Sequence, residues 1–241
     1  MLVFFTFVIL LALTVTNRNK LSLLARKSRE DWLLDVIGLF FQGIAIPFFQ
    51  IAIVFQLYRL LLPHAHACIT LYPIAAFLLS FVFVDYLYYW NHRLFHTRQM
   101  WFVHQVHHTV TEMDVVGTSR NTLWTSFFIV YLWIHSLFIY VLQEPNWYIL
   151  GVSLSSALDL WRHSSFNPTP NSWLYRCLSP WLILPQEHAW HHSGNCIVGN
   201  YGANLKLWDM MHGTYYNSDK APDSLGIHSS LSFSKKLFLP F

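Results

Sequence analysis

Apolar residues fill this chain in long blocks rather than at alternate positions, and the gaps between blocks hold histidine, arginine and turn residues. Alternation with period two would predict strands; unbroken blocks of this length predict helices buried on all sides, by protein or by lipid. The first block, residues 2–16, is uncharged and short for a bilayer span, since a hydrocarbon core of about 30 Å takes about 20 helical residues. It fits a cleaved signal peptide poorly, because no positive charge precedes it, no small-residue cleavage site follows it, and Arg18, Lys20, Arg26, Lys27 and Arg29 come after it. By the positive-inside rule that basic cluster faces the cytoplasm.

The second block, residues 32–63, exceeds one ordinary span and contains Pro47, so a kinked or tilted helix is expected. Residues 68–90 then return the chain toward the basic side. Residues 121–143 form another near-continuous apolar stretch, Glu144-Pro145-Asn146 supplies a turn, and residues 147–161 run back as the second arm of a hairpin. Arg93, Arg98, Arg120, Arg162, Arg176 and Lys206 all fall on the inner side of this scheme; Arg59 alone falls at the outer end and would snorkel. The expected fold is an all-α, integral-membrane bundle of about four to five transmembrane helices with a cytoplasmic helical cap.

Composition agrees with a bilayer: 54% of the 241 residues are hydrophobic and 11% are charged, whereas a soluble domain is about a quarter charged. The length suits one domain, with no low-complexity linker and no repeat at solenoid periods. The net charge of +3 is spread along the chain without a basic tract, so a nucleic-acid partner is not implied. Cys68, Cys177 and Cys196 are too far apart for a CxxC site and read as free thiols.

Histidine is the anomaly. Fourteen are present, and eight fall in three clusters: His92 and His96, then His104, His107 and His108, then His188, His191 and His192. The spacings are HxxxH, HxxHH and HxxHH. On a helix, residues three and four apart share a face, so each cluster presents convergent imidazoles, while the adjacent pair of an HxxHH splays by about 100° and can serve two ions. One chance HxxHH in a chain this rich in histidine has odds of roughly one in twenty, and two are rarer, so the clusters are read as metal ligands. His64, His66, His135, His212 and His228 are read as ordinary polar residues. Eight imidazoles exceed what one tetrahedral zinc uses and suit two transition-metal ions with open positions; spacing alone does not choose among iron, zinc, copper and nickel. His163, alone at the end of the returning hairpin helix, is expected as a ninth ligand. Asp159, ionisable in an apolar helix, either reaches the metals through water or orients a ligand histidine. Asp85, two turns before His92, either holds an imidazole by hydrogen bond or meets headgroups at a helix end.

These residues, in this order, resemble the fatty acid hydroxylase and sterol desaturase superfamily of integral-membrane di-iron enzymes. The resemblance covers about residues 85–215, and its carriers are Tyr89-Trp90-Asn91-His92-Arg93 with His96, the cluster from His104 to Thr109, Met113-Asp114-Val115 leading to Arg120, Arg162-His163-Ser164, the cluster from His188 to Ser193, Asn200-Tyr201-Gly202, Leu207-Trp208-Asp209 and Gly213-Thr214-Tyr215. Departures are Asn121-Thr122 where the family often has histidine and proline, Ser165 where asparagine often stands, and His212 in place of an aromatic residue. None removes a cluster histidine. The resemblance divides the chain into an N-terminal transmembrane region (1–80), a catalytic region (81–216) and a C-terminal tail (217–241).

It implies two iron ions held by the clustered histidines and His163, dioxygen as co-substrate, and hydroxylation, desaturation or demethylation of a lipid at the cytoplasmic membrane surface of a bacterial inner membrane or endoplasmic reticulum. No nucleotide-binding glycine motif is present, so the electrons would come from outside, by the resemblance from a b-type cytochrome or a ferredoxin with its reductase. Two rivals come from other classes. A histidine-rich metal-ion transporter predicts polar residues spread along the spans at midplane depth, and a haem protein needs only two axial histidines inside facing helices. A zinc protease is disfavoured by the absence of HExxH.

Overall fold

A computed structural model describes residues 1–194 and 199–240; Cys196 lies outside the described residues. The fold is all-α, and β-pairing among the described residues is confined to isolated bridges between Ile69 and Leu142, Leu182 and Leu205, and Ser193 and Leu225.

Helix α1 (Leu2–Thr16) stops at Asn17, whose extended backbone and side-chain oxygen start α2 (Arg18–Arg26) by accepting the amides of Asn19 and Lys20 at 3.1 and 3.2 Å. The two axes meet at 97°. Apolar α1 therefore turns sharply into a basic helix, and its inner face packs Leu10 against Val115, Val116 and Leu160.

Helix α3 (Arg29–Leu61) begins at Ser28, whose hydroxyl oxygen accepts the Asp31 amide at 3.0 Å, with Glu30 and Asp31 in the first turn where the helix dipole favours them. Its 33 residues rise about 50 Å, against a hydrocarbon core of about 30 Å. Pro47 does not break it. Proline withholds one ladder amide, and the helix absorbs the defect in two π turns, Phe41–Ala45 and Gln50–Val54, in which the Ile46 amide reaches the Phe41 carbonyl and the Phe55 amide that of Gln50.

Helix α4 (Pro73–Phe95) opens on Pro73 at its first position, passes a π turn at Leu79–Phe83 and delivers His92 in its last turn, with His96 just beyond. A single turn, α5 (Trp101–His104), follows. Helices α6 (Val130–Val141) and α7 (Asn146–Arg162) form the expected hairpin, and α7 lies against α4 where Gly151 leaves no room for a side chain: a Cβ there would stand 3.1 Å from the Phe77 carbonyl oxygen and within 2.0 Å of the Ser80 hydroxyl.

Among the described residues, α3 and α4 are long and apolar enough to cross a membrane, with α1 and α2 as a third candidate if the bent pair is one span. The apolar stretch 121–143 is α-helical only from Val130, with a single 3-10 turn at Thr125–Phe127 before it. Before that, Thr122 and Thr125 spend their hydroxyls on each other (2.5 Å) and on the Val103 carbonyl (2.8 Å), while Leu123 and Trp124 bond the carbonyls of Leu237 and Phe238. Bonds to distant chain replace the helical ladder there. Short helices α8 (Trp173–Leu178), α9 (Pro185–His191), α10 (Leu207–Met211) and α11 (Phe233–Phe238) complete the end of the bundle at which α4 and α7 finish. Away from that end the long helices expose Phe4, Phe48, Ile51, Leu60 and Ile74, as a lipid-facing surface does.

Candidate metal centre

The nine histidines expected as ligands converge at that end, from elements far apart in sequence. His92 and His96 come from the close of α4, His104 from α5, and His107 and His108 from a 3-10 turn. His163 follows α7; His188, His191 and His192 belong to α9 and its end. Helix α9 is set by Pro185 at its first position and by Glu187, whose carboxylate accepts the Leu184 amide at 2.8 Å.

They sort into two groups: His92, His96, His104, His108 and His191 in one, and His107, His163, His188 and His192 in the other, the ligand atoms of each lying within 4.8 Å of one another. The adjacent pairs His107-His108 and His191-His192 each divide between the groups, as the splay of neighbouring helical residues requires. His64, His66, His135, His212 and His228 belong to neither group.

Four imidazoles are oriented by backbone carbonyls: His92 Nδ1 by Tyr201 (2.8 Å), His107 Nδ1 by Arg120 (3.2 Å), His163 Nδ1 by Asp159 (2.9 Å) and His191 Nδ1 by Gly199 (2.7 Å). A carbonyl oxygen only accepts, so each Nδ1 carries the hydrogen and each Nε2 bears a lone pair. With both rings neutral, His107 Nε2 and His163 Nε2 then face each other at 3.2 Å lone pair to lone pair, an arrangement that no hydrogen bond between the two relieves. A cation between them does. At a metal–imidazole distance of about 2.1 Å, two ligands of one ion are separated by roughly 3.0 to 3.4 Å. The neighbouring Nε2 pairs lie close to that spacing: His92 with His104 at 2.9 Å, His188 with His163 at 3.0 Å, and His192 with His188 at 3.1 Å. In the first group the Nε2 atoms of His96, His108 and His191 are buried without a partner among the described residues, which is costly unless something absent from the polypeptide binds them. The donor set therefore fits two metal ions.

Burial, reinforced by neighbouring imidazoles, holds His104, His107, His108, His188 and His192 well below the ordinary imidazole range. Burial also brings His191 down to about 4. Neutral rings are the form that binds metal.

The two carboxylates singled out in the sequence fare differently. Asp159 lies against His163, its carboxylate 3.3 Å from Nδ1 and paired with Arg162, the position from which a carboxylate orients an imidazole. It is outside both groups. Asp85 neither holds an imidazole nor meets headgroups. It is fully buried and accepts from the amides of Asn204 and Leu205 (2.9 and 3.1 Å), the Asn204 side chain (3.0 Å) and the Trp208 indole (2.9 Å), fastening the loop after the third cluster to α4.

Much of the support could not be ranked from sequence. Asp209 accepts the amides of Tyr201 and Gly202 and the Thr214 hydroxyl, and so fixes the carbonyl that orients His92. Glu187 meets Lys206 and Tyr215, both at 2.5 Å. The tail contributes as well: the Gly226 amide donates to the His192 carbonyl at 2.9 Å and the Ile227 amide to that of His108 at 2.8 Å. The available signal was a charged residue in an apolar or aromatic setting, which marks a buried partner without naming it.

A model of the fatty acid hydroxylase family matches residues 77–214, more than half of the chain and all nine of these histidines. The chain belongs to that family. Relatives include alkylglycerol monooxygenase of Xenopus tropicalis, 28% identical over 169 residues (68% of this chain, 34% of that protein). The ornithine lipid hydroxylase OlsE of Rhizobium tropici is 28% identical over 193 residues (74% and 54%), and alkylglycerol monooxygenase of Danio rerio 32% over 152 residues (61% and 30%). The chain thus spans between about a third and about half of the length of these relatives. No solved structure matches it.

Proposed function

We propose that this chain is a membrane-bound di-iron oxygenase that uses dioxygen and external electrons to hydroxylate a C–H bond of a lipid carrying a polar head. The observation that carries the reading is the gathering of nine imidazoles into two buried groups, with His107 and His163 facing each other Nε2 to Nε2 in one of them. Family membership supplies the chemistry: two irons, when bound, would activate dioxygen for attack on an unactivated C–H bond, which side chains alone cannot accomplish. Five nitrogens in one group exceed a tetrahedral zinc, whereas a six-coordinate ion would keep one open position there and two at the other group. The histidines are assigned as the ligands, with Asp159 orienting His163.

The lipid class follows from the relatives, whose names describe oxidation of an alkylglycerol and of an ornithine lipid. Desaturation of the same C–H bond is the alternative outcome. We assign four to five spans, counting α6 and α7 with the longer helices, and a cytoplasmic site. The side is supported by the basic α2, since Lys20 donates to the Ser165 carbonyl at 2.9 Å, next to His163. The electrons would come from a b-type cytochrome or a ferredoxin with its reductase.

Lipid extracts of cells with and without the chain, compared by mass spectrometry, decide the reaction: a lipid heavier by one oxygen atom means hydroxylation, and one lighter by two hydrogens means desaturation. The purified protein is expected to hold about two irons and no haem. His191→Ala and His192→Ala are expected to insert normally and lose turnover; full activity in either would remove that residue from the ligand set.

A further inference from the structure

The structure assigns a positioning role to Arg120 and to the N-terminal helices that seat it: Asp31, Asp35 and Gly38 on α3, with Lys27, hold Arg120 so that His107 and His108 are delivered to different metals. This inference rests on the two-metal reading and concerns residues of which Lys27, Asp31, Asp35 and Gly38 lie outside the matched family region.

Arg120 is among the largest fully buried side chains. Its Nε donates to Asp35 Oδ1 at 2.6 Å, and its Nη1 donates to Asp31 Oδ1 at 2.6 Å and to the Thr109 carbonyl at 3.0 Å. Its own carbonyl accepts from His107 Nδ1. One residue therefore grips the 107–109 turn twice, at the His107 ring through its backbone and just after His108 through its guanidinium. That turn is where the chain crosses from one imidazole group to the other.

The seat is built to match. Asp31, Asp35 and Gly38 are spaced four and three apart, so they share one face of α3. Gly38 lets that face touch the turn before Arg120, because a Cβ there would lie 2.3 Å from the Ser119 carbonyl oxygen. Lys27 pairs with Asp35 and, at 2.6 Å, with Asp114, whose other oxygen accepts the amides of Val116 and Gly117 at 2.9 and 3.1 Å. The side chains of Lys27, Asp35, Asp114 and Arg120 are each 5% exposed or less, and that of Asp31 is 22% exposed. Two cations and two carboxylates out of water, with Asp31 at the edge, hold one another in place, so the arrangement is stiff.

The direct bond to His107 makes the four-imidazole group the more dependent on this seat. The other group keeps four of its five rings if His108 shifts.

Asp31→Asn is the informative variant, because Asp31 is partly exposed and Arg120 retains Asp35, so the chain should still fold; Arg29→Gln, exposed on the same helix turn, is the control. In the full metal-free protein in micelles, hydrogen exchange of the 107–120 segment is expected to rise at least about tenfold in Asp31→Asn, with residues 185–192 unchanged. Anaerobic titration with Co²⁺ is expected to show the second equivalent weakened about 10- to 100-fold and the first retained, the range for loss of an outer partner of a ligand. Unchanged exchange, equal acceleration in Arg29→Gln, or equal weakening of both equivalents would overturn the inference. If unaltered protein bound fewer than two equivalents, the two-metal reading would fail in the cobalt arm, while the exchange arm would still judge the seat.

Discussion

At the scale of single residues, what distinguishes the site is how few side chains are used for one purpose only. Asp85 shows the point. A carboxylate two turns before a ligand histidine suggested a partner for an imidazole, yet its oxygens are taken by Asn204, Leu205 and Trp208. Asp85→Asn would place an amide donor against these N–H groups, at a cost of about 2 kcal/mol for losing hydrogen bonds to a charged acceptor. A melting temperature lowered by several degrees, with turnover per folded molecule largely kept, is the expected result; a catalytic role for Asp85 would reverse that pattern. The convergence of the clustered histidines was legible, because HxxxH and HxxHH bring imidazoles together within a helix turn, whereas His163 stands in neither motif. The oxygens that orient them were not. Tyr201, Gly199, Arg120 and Asp159 act there through their backbones, and a carbonyl has no signature in the sequence.

At the scale of elements, the apolar blocks located the long helices, and the turn at Glu144-Pro145-Asn146 located the hairpin. The errors lay where local preference lost to distant partners. The start of the 121–143 block gave up its α-helix to bond the tail and the Val103 carbonyl, whereas Pro47, where a kinked or tilted helix is expected, sits between two π turns of a continuous α3. Gly38 was silent in the sequence, a small residue in an apolar run, and its meaning lies wholly in the approach of Ser119. Gly38→Ala must push backbone against backbone and is expected to destabilise the chain by about 1–3 kcal/mol. Gly43→Ala, where nothing stands within 4 Å, should leave stability unchanged or slightly raise it. Equal thermal shifts for the two would mean that α3 and the turn do not touch as described.

For the molecule as a whole, the site joins parts of the chain that share no local interaction: α4, the 107–109 turn, the end of α7, α9 and the tail. Its buried imidazoles make the metal-free protein sensitive to acid. The folded pKa values of His104, His107, His108, His188, His191 and His192 lie below the unfolded value of about 6.5, so their contribution to stability is complete above that pH and falls as pH drops toward the folded values, for His191 toward about 4. Each contributing imidazole adds a slope of about 1.4 kcal/mol per pH unit within its window. Melting of the metal-free chain between pH 7 and pH 4.5 is expected to shift steeply downward, and a flat profile would mean that the rings are already hydrated. The contact between His107 and His163 has a further outcome for the cell. Two neutral imidazole nitrogens brought together by remote helices act as a compressed joint until an ion enters, so newly made protein starved of metal should part at that seam first. Proteases would then meet the opened chain, and its abundance should follow the metal supply even where synthesis does not.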